Sequence, residues 1–264
     1  MIRTAAAVLV AVTALSAVTA CSDSSDSTSG TGSDGASGKV SGRVTVFAAA
    51  SLEESFEALG ERFEKRYPGT EVGFSFGGSD SLAASITGGA PADVFASASP
   101  KTMKIVTDSG GASGEPVTFV RNRLEIATLP GNPDGIASLD DLAEPGLKVV
   151  LCDRSVPCGA AARTALDAGG VRLTPVSYEQ DVKSALTKVE LKEADAALVY
   201  RTDVRAAGDK VEGVEFPESS KAVNDYPIAL LKDAPNARAA EAFIDLVRSE
   251  EGRQVLTRAG FLAP

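Results

Sequence analysis

Val44-Thr45-Val46-Phe47-Ala48-Ala49-Ala50-Ser51-Leu52-Glu53-Glu54 joins two periodicities in one short stretch. Its first four residues, β-branched and aromatic, read as a buried strand. Ser51 followed three residues later by Glu54 reads as a capping box, with the serine at the helix N-cap. Leu52, Phe56, Leu59 and Phe63 then recur at helical spacing, and Tyr67-Pro68-Gly69 stops the helix. A strand that turns through a short loop into an amphipathic helix is the repeating element of an α/β fold.

The alternation continues along the chain. Glu71–Phe76 reads as a strand that passes through Gly77-Gly78 into a helix from Ser79 carrying Leu82 and Ile86. Asp93–Ala98 is a further strand, and Ser99-Pro100 opens a helix with proline at its first position. Val117–Val120 and Leu124–Leu129 read as strands separated by the polar Arg121-Asn122-Arg123, and Leu147–Leu151 as another. A helix begins near Cys158-Gly159 and ends at Gly169-Gly170. Asp181 opens the next, with Val182, Leu186 and Val189 on one face. Ala194–Val199 is a strand that delivers Tyr200, and Pro227–Leu231 precedes an amphipathic helix from Asn236 through Phe243, Ile244 and Val247. Strand, loop and helix in repetition predict mainly parallel sheets flanked by helices, without an internal sequence repeat.

Upstream of this region, residues 1–20 read as a signal peptide. Arg3 supplies a positive start, and Ala5 to Val18 is an apolar run too short for a membrane span. The run ends Val18-Thr19-Ala20-Cys21, which resembles a bacterial lipobox and makes Cys21 the expected lipidated N-terminus. Residues 21–42 form a tether, because Ser22 to Gly38 is almost wholly Ser, Gly, Asp and Thr and cannot bury enough apolar area to offset chain entropy. Lipid, tether and folded part in that order predict an extracytoplasmic protein anchored to the cell membrane.

Composition narrows the chemistry. A formal charge of −10 spread over the chain argues against nucleic acid as a partner. The chain has no histidine, which removes the commonest general base, the Ser-His-Asp and Cys-His arrangements and most transition-metal sites. No G-x-S-x-G turn is present, so a serine hydrolase would need a lysine base. The chain therefore reads as a binding protein and not an enzyme. No tryptophan and few other aromatics are available to stack on a sugar.

Several helices begin where a strand has just ended, and their first residues are small or hydroxylic: Ser51, Ser79, Cys158-Gly159 and Val182. A helix N-terminus presents unpaired N–H donors and a partial positive charge, so it attracts an anion without a lysine. Each of these residues alone has a simpler reading as a cap.

Three stretches carry a specific resemblance: Val46-Phe47-Ala48-Ala49-Ala50-Ser51-Leu52, Phe76-Gly77-Gly78-Ser79-Asp80-Ser81-Leu82-Ala83 and Gly89-Ala90-Pro91-Ala92-Asp93-Val94-Phe95-Ala96-Ser97-Ala98. Val156-Pro157-Cys158-Gly159, Glu179-Gln180-Asp181-Val182-Lys183, Leu198-Val199-Tyr200 and Asp225-Tyr226-Pro227-Ile228 follow in the same order. Together, from about Val44 to Phe261, they resemble the periplasmic molybdate-binding proteins of ABC importers. The resemblance implies a two-lobed, Venus-flytrap fold, with residues 43–120 and 222–264 in one lobe and 121–221 in the other. It implies a tetrahedral oxyanion, molybdate or tungstate, held without a cofactor by the Ser51 and Ser79 hydroxyls, the Cys158 and Val182 amides and the Tyr200 hydroxyl. It further implies a membrane permease as partner and a monomeric chain. A fully deprotonated oxyanion only accepts hydrogen bonds, so neutral donors suit it, whereas protonated phosphate would also need an acceptor.

Some residues stand apart from that pattern. Cys158 occupies a position where the family has a small residue, which matters little if only its amide is used. Asp80, beside Ser79, is expected to turn away from the anion as a helix-start acid, and Lys183 to be a solvated helix residue. Cys152 and Cys158 are expected to form a disulfide in an oxidising compartment, with free thiols or a soft-metal site as alternatives. Tyr226 is read as a packing or hinge residue. The alternative ligands are sulfate, and ferric iron through tyrosines such as Tyr200 and Tyr226.

Overall fold

The computed structural model describes residues 39–264, so the signal peptide, Cys21 and nearly all of the tether lie outside the described residues. In chain order the first half contains β1 (Gly42–Ala49), α1 (Glu53–Arg66), β2 (Thr70–Gly77), α2 (Ser79–Thr87), β3 (Val94–Ala96), α3 (Pro100–Asp108) and β4 (Ala112–Asn122). Next come β5 (Leu124–Thr128), β6 (Val149–Cys152), α4 (Pro157–Gly169), β7 (Ser177–Glu179), α5 (Val182–Glu190), β8 (Ala196–Tyr200), α6 (Arg201–Ala207) and β9 (Glu212–Val214). The chain then returns through β10 (Asn224–Leu231) to α7 (Ala237–Arg248) and α8 (Glu250–Ala259).

These strands form two five-stranded sheets, ordered β2-β1-β3-β10-β4 and β7-β6-β8-β5-β9. As expected, each sheet is mainly parallel, with one strand reversed: β10 in the first and β5 in the second. β1 is parallel to β2 and β3, and β6 to β7 and β8, but β10 runs antiparallel to β3 and β4, and β5 antiparallel to β8 and β9. Strands joined by a helical crossover must be parallel. The antiparallel ones lie where the chain passes between sheets: β4 hands over to β5 across the single residue Arg123, and β10 brings the chain back. The C-terminus is fastened to the same crossing, because Arg121 and Leu262 exchange backbone hydrogen bonds of 2.9 and 2.8 Å.

The pleat sorts β1 between two layers. Val44, Val46 and Ala48 face α1 and α7, where Phe56, Phe63 and Phe243 are fully buried, while Phe47 packs on the other side among Leu82, Phe95 and Met103. The Phe243 ring meets Phe56 at 5.9 Å and Phe63 at 5.6 Å edge to face, a geometry that adds to the area they bury. These contacts hold the first turn of α1 at the C-terminal end of β1. No helix of the described residues is long and apolar enough to cross a membrane.

The start of α1 departs from the expected capping box. A 3-10 turn, Ala50–Leu52, precedes the α-helix, which puts Leu52 at the N-cap with no side-chain cap. Ser51 is thereby turned away from the helix, and its hydroxyl lies 2.8 Å from the Tyr226 hydroxyl. Glu54, the other half of the expected box, pairs with Lys183 instead.

Candidate functional site

Ser51, Ser79, Cys158, Val182 and Tyr200 line one cavity. Its volume is about 20 Å³ of room for the centre of a water-sized sphere. A water occupies roughly 10–15 Å³ by that measure, so a sugar or peptide does not fit, whereas a compact ion only modestly larger than water is the right scale. Ser51 lies in the 3-10 turn before α1, Ser79 and Val182 open α2 and α5, Cys158 is the second residue of α4, and Tyr200 ends β8 immediately before α6.

The wall from the first sheet offers hydroxyls. Ser79 opens α2 and is buried, and its Oγ accepts a 3.0 Å hydrogen bond from the Ala98 backbone N–H. With one lone pair of the oxygen so engaged, the Ser79 proton is left to point elsewhere. The loop between β2 and α2 is held to glycine at position 78: a Cβ there would lie 2.5 Å from the Gln180 carbonyl oxygen. That close approach is between the two walls, so the cavity is closed over at this point.

The opposite wall offers backbone N–H groups. α4 starts at Pro157, with Val156 extended at its N-cap, so the Cys158 N–H is among the first-turn donors that no helical carbonyl can reach. A disulfide joins Cys158 to Cys152 at the end of β6. Gly159 then permits the helix to press on that strand end, since a Cβ would meet the Asp153 carbonyl oxygen at 1.9 Å. Val182 is the first residue of α5, capped by Asp181, whose Oδ1 accepts from Ser184 N at 2.9 Å and whose Oδ2 accepts from Ser184 Oγ at 2.9 Å. Asp181 borders the cavity, but its carboxylate is committed to this cap.

Tyr200 and Tyr226 meet edge to face at 6.0 Å between the walls. Among the described residues the buried Tyr200 hydroxyl has no hydrogen-bond partner. Burial, with Tyr226 alongside, raises its pKa well above the usual phenol value, so it stays protonated and able to donate. Tyr226 is fully buried and polar-bonded as well as packed, through Ser51 and Asn122. Among the described residues no cluster of acids and cysteines could hold a metal ion.

Two neighbouring charged residues behave differently from one another. Asp80 does not line the cavity; its Oδ1 is buried without a hydrogen-bond partner among the described residues. Lys183 is not the solvated residue expected of it. Its ammonium pairs with Glu54 of α1 and sits 3.8 Å from Asp203 Oδ1, with the side chain only 20% exposed. Burial works against that charge, but Asp203 and Glu54 outweigh it and hold the lysine pKa above its ordinary value. Asp203 is fully buried, and desolvation lifts its carboxyl pKa to about 7 in spite of Lys183 and the hydrogen bond from Tyr200 N. The sequence does not point to Asn122 or Asp203, and it points to Tyr226 only as a packing residue or an iron-binding alternative. Asn122 ends β4, Tyr226 is the third residue of β10 and Asp203 the third of α6, and nothing local in the sequence distinguishes Asn122 or Asp203 from surface residues.

A family model described as bacterial extracellular solute-binding protein matches residues 44–262. The chain is 45% identical over 221 residues to the molybdate-binding protein ModA of Mycobacterium tuberculosis, which covers 84% of this chain and 85% of that one. It is 33% identical over 231 residues to the molybdate-binding protein ModA of Escherichia coli, covering 83% and 89%. Among solved structures, the periplasmic molybdate-binding protein of Azotobacter vinelandii matches with a TM-score of 0.73 over 84% of this chain and 99% of that one, a likeness of fold at 23% identity. With two helix-flanked sheets, a cavity between their helix N-termini and this similarity over most of its length, the chain belongs to the bacterial extracellular solute-binding proteins and has their two-lobed periplasmic binding-protein fold.

Proposed function

We propose that this protein is the extracytoplasmic binding component of an ABC importer and captures molybdate or tungstate between its lobes. The Ser51, Ser79 and Tyr200 hydroxyls and the Cys158 and Val182 N–H groups are the proposed donors. The observation that carries this reading is their convergence on one cavity of about 20 Å³ where, among the described residues, the one bordering carboxylate is already committed to a helix cap. A dianion loses much hydration on entering such a site, and five neutral donors with two helix N-termini replace it without a counter-ion. A ligand that carries a proton would need an acceptor in the wall. The molybdate-binding relatives support the choice of ligand.

In this reading the lobes are residues 43–120 with 222–264, and residues 121–221. They close on the ion by rotation about the crossing strands and present it to a membrane permease. Cleavage after Ala20, lipidation of Cys21 and the tether to residue 42 would hold a monomeric chain on the extracytoplasmic face of the cell membrane. Calorimetric titration of the purified protein with molybdate, tungstate, sulfate and phosphate tests the reading. Tight one-to-one binding of the first two, weak sulfate and no phosphate is the expected result. Tight sulfate binding would reassign the ligand, and no heat from any of the four would overturn the site.

A further inference from the structure

We propose that Asn122 and Tyr226 form a one-way hydrogen-bond relay that makes the Ser51 hydroxyl a donor toward the cavity, and so act as positioning residues for selection of an unprotonated anion. This rests on the reading that Ser51 faces the ligand, and it concerns residues that do not line the cavity.

The direction of the relay follows from its far end. Arg123 N donates to Asn122 Oδ1 at 3.0 Å, which fixes which end of the buried amide is oxygen and which is NH₂. The NH₂ group can only donate, and it has two acceptors in reach: Thr202 Oγ1 at 2.9 Å and the Tyr226 hydroxyl oxygen at 3.4 Å. Tyr226, receiving there, keeps one proton to give. Ser51 Oγ, 2.8 Å away, is the acceptor placed to take that proton. Burial raises the Tyr226 pKa well above the usual phenol value, so the proton is present throughout the physiological range. Ser51 then accepts on the Tyr226 side and its own hydrogen turns to the cavity.

The consequence is a difference between the two serines. Ser79 is held as a donor by a backbone N–H from Ala98, which cannot reverse. Ser51 is held by the Tyr226 hydroxyl, itself oriented by Asn122, and its polarity is open to mutation. Without the relay the Ser51 hydroxyl rotates freely and can offer the cavity a lone pair, which is what a protonated oxyanion requires.

The test is titration of wild type, Tyr226→Phe and Asn122→Asp with molybdate at pH 7.5, and with phosphate by competition against it. Tyr226→Phe keeps the ring that packs on Phe261, and melting curves check that both variants fold. Asn122→Asp replaces the donor by an acceptor and invites the Tyr226 proton backward, reversing the relay. Molybdate affinity is expected to fall about tenfold in Tyr226→Phe, one hydrogen bond's worth, and further in Asn122→Asp. The ratio of molybdate to phosphate affinity is expected to narrow in both. Affinities that fall in parallel, with the ratio unchanged in two folded variants, would overturn the relay and leave a packing role. Failure of wild type to bind molybdate would instead refute the functional reading on which the relay rests.

Discussion

The two walls of the cavity bring donors to the same point by different means. On one side Ser51 and Ser79 present hydroxyls, each held from behind by another group: the Tyr226 phenol and the Ala98 N–H. On the other, Cys158 and Val182 stand at helix starts, where the geometry of the first turn leaves N–H groups unpaired whatever the side chain. One wall depends on residue identity, and the other on backbone path. A cysteine and a valine are therefore compatible with an anion site, though neither side chain has any affinity for an anion.

The largest expected effects break or support that distinction directly. Ser79→Ala removes a proposed ligand donor and leaves the Ala98 N–H without its acceptor, so molybdate affinity should fall on the order of 100-fold. Val182→Ala keeps the N–H and should stay within about threefold of wild type. Val182→Pro deletes the N–H at a helix position that tolerates proline, after an Asp181 already in the extended conformation that a following proline requires. It should resemble Ser79→Ala in calorimetry while retaining its helical circular dichroism. If the alanine and proline variants at position 182 bind alike, the backbone wall is not a donor wall.

The disulfide should separate stability from binding. Cys152 and Cys158 close a short loop, for which chain entropy gives about 2 kcal/mol. The double Cys→Ser variant should melt correspondingly lower in chemical denaturation. Its molybdate affinity should drop only a few-fold, because Pro157 and the β6 strand end still aim the first turn of α4. A loss comparable to Ser79→Ala would mean that the bond positions the Cys158 amide.

Much of this arrangement is written locally. The helix starts after Gly78, Ser99 and Asp181 follow from caps, glycines and proline in the sequence, and the hydrophobic faces of α1, α5 and α7 from their spacing. Strand direction is another matter. β5 and β10 have the same apolar composition as the parallel strands, and only the passage of the chain between sheets turns them around. Ser51 shows the limit most clearly. Ser-x-x-Glu fits a capping box, yet one 3-10 turn carries the serine to Tyr226, 175 residues away, and frees Glu54 for Lys183, 129 residues away. Side-chain pairing at such separations leaves no periodic trace.

Lys183 links the walls without lining the cavity, and the smallest effects are expected around it. Asp203, packed beneath the ammonium with Glu54 and Asp181 as further charges nearby, holds its proton up to about pH 7 in the folded protein. A carboxyl pKa raised on folding means that the native state binds the proton more tightly than the unfolded chain. Its contribution to stability is then full below about pH 4 and disappears as pH rises through 7. The difference in unfolding free energy between wild type and Asp203→Asn should therefore shift against wild type from pH 5 to pH 7, by about 1 kcal/mol per pH unit, and flatten above 8. Glu54→Gln removes the partner that reaches Lys183 from α1. Glu54 is half exposed, so the pair is worth no more than about 1 kcal/mol, and molybdate affinity should weaken by less than fivefold. That loss should shrink in 0.5 M salt, where screening already weakens the wild-type pair. A Glu54→Gln effect as large as that of Ser79→Ala would make the ion pair, and not the converging donors, the main source of closure.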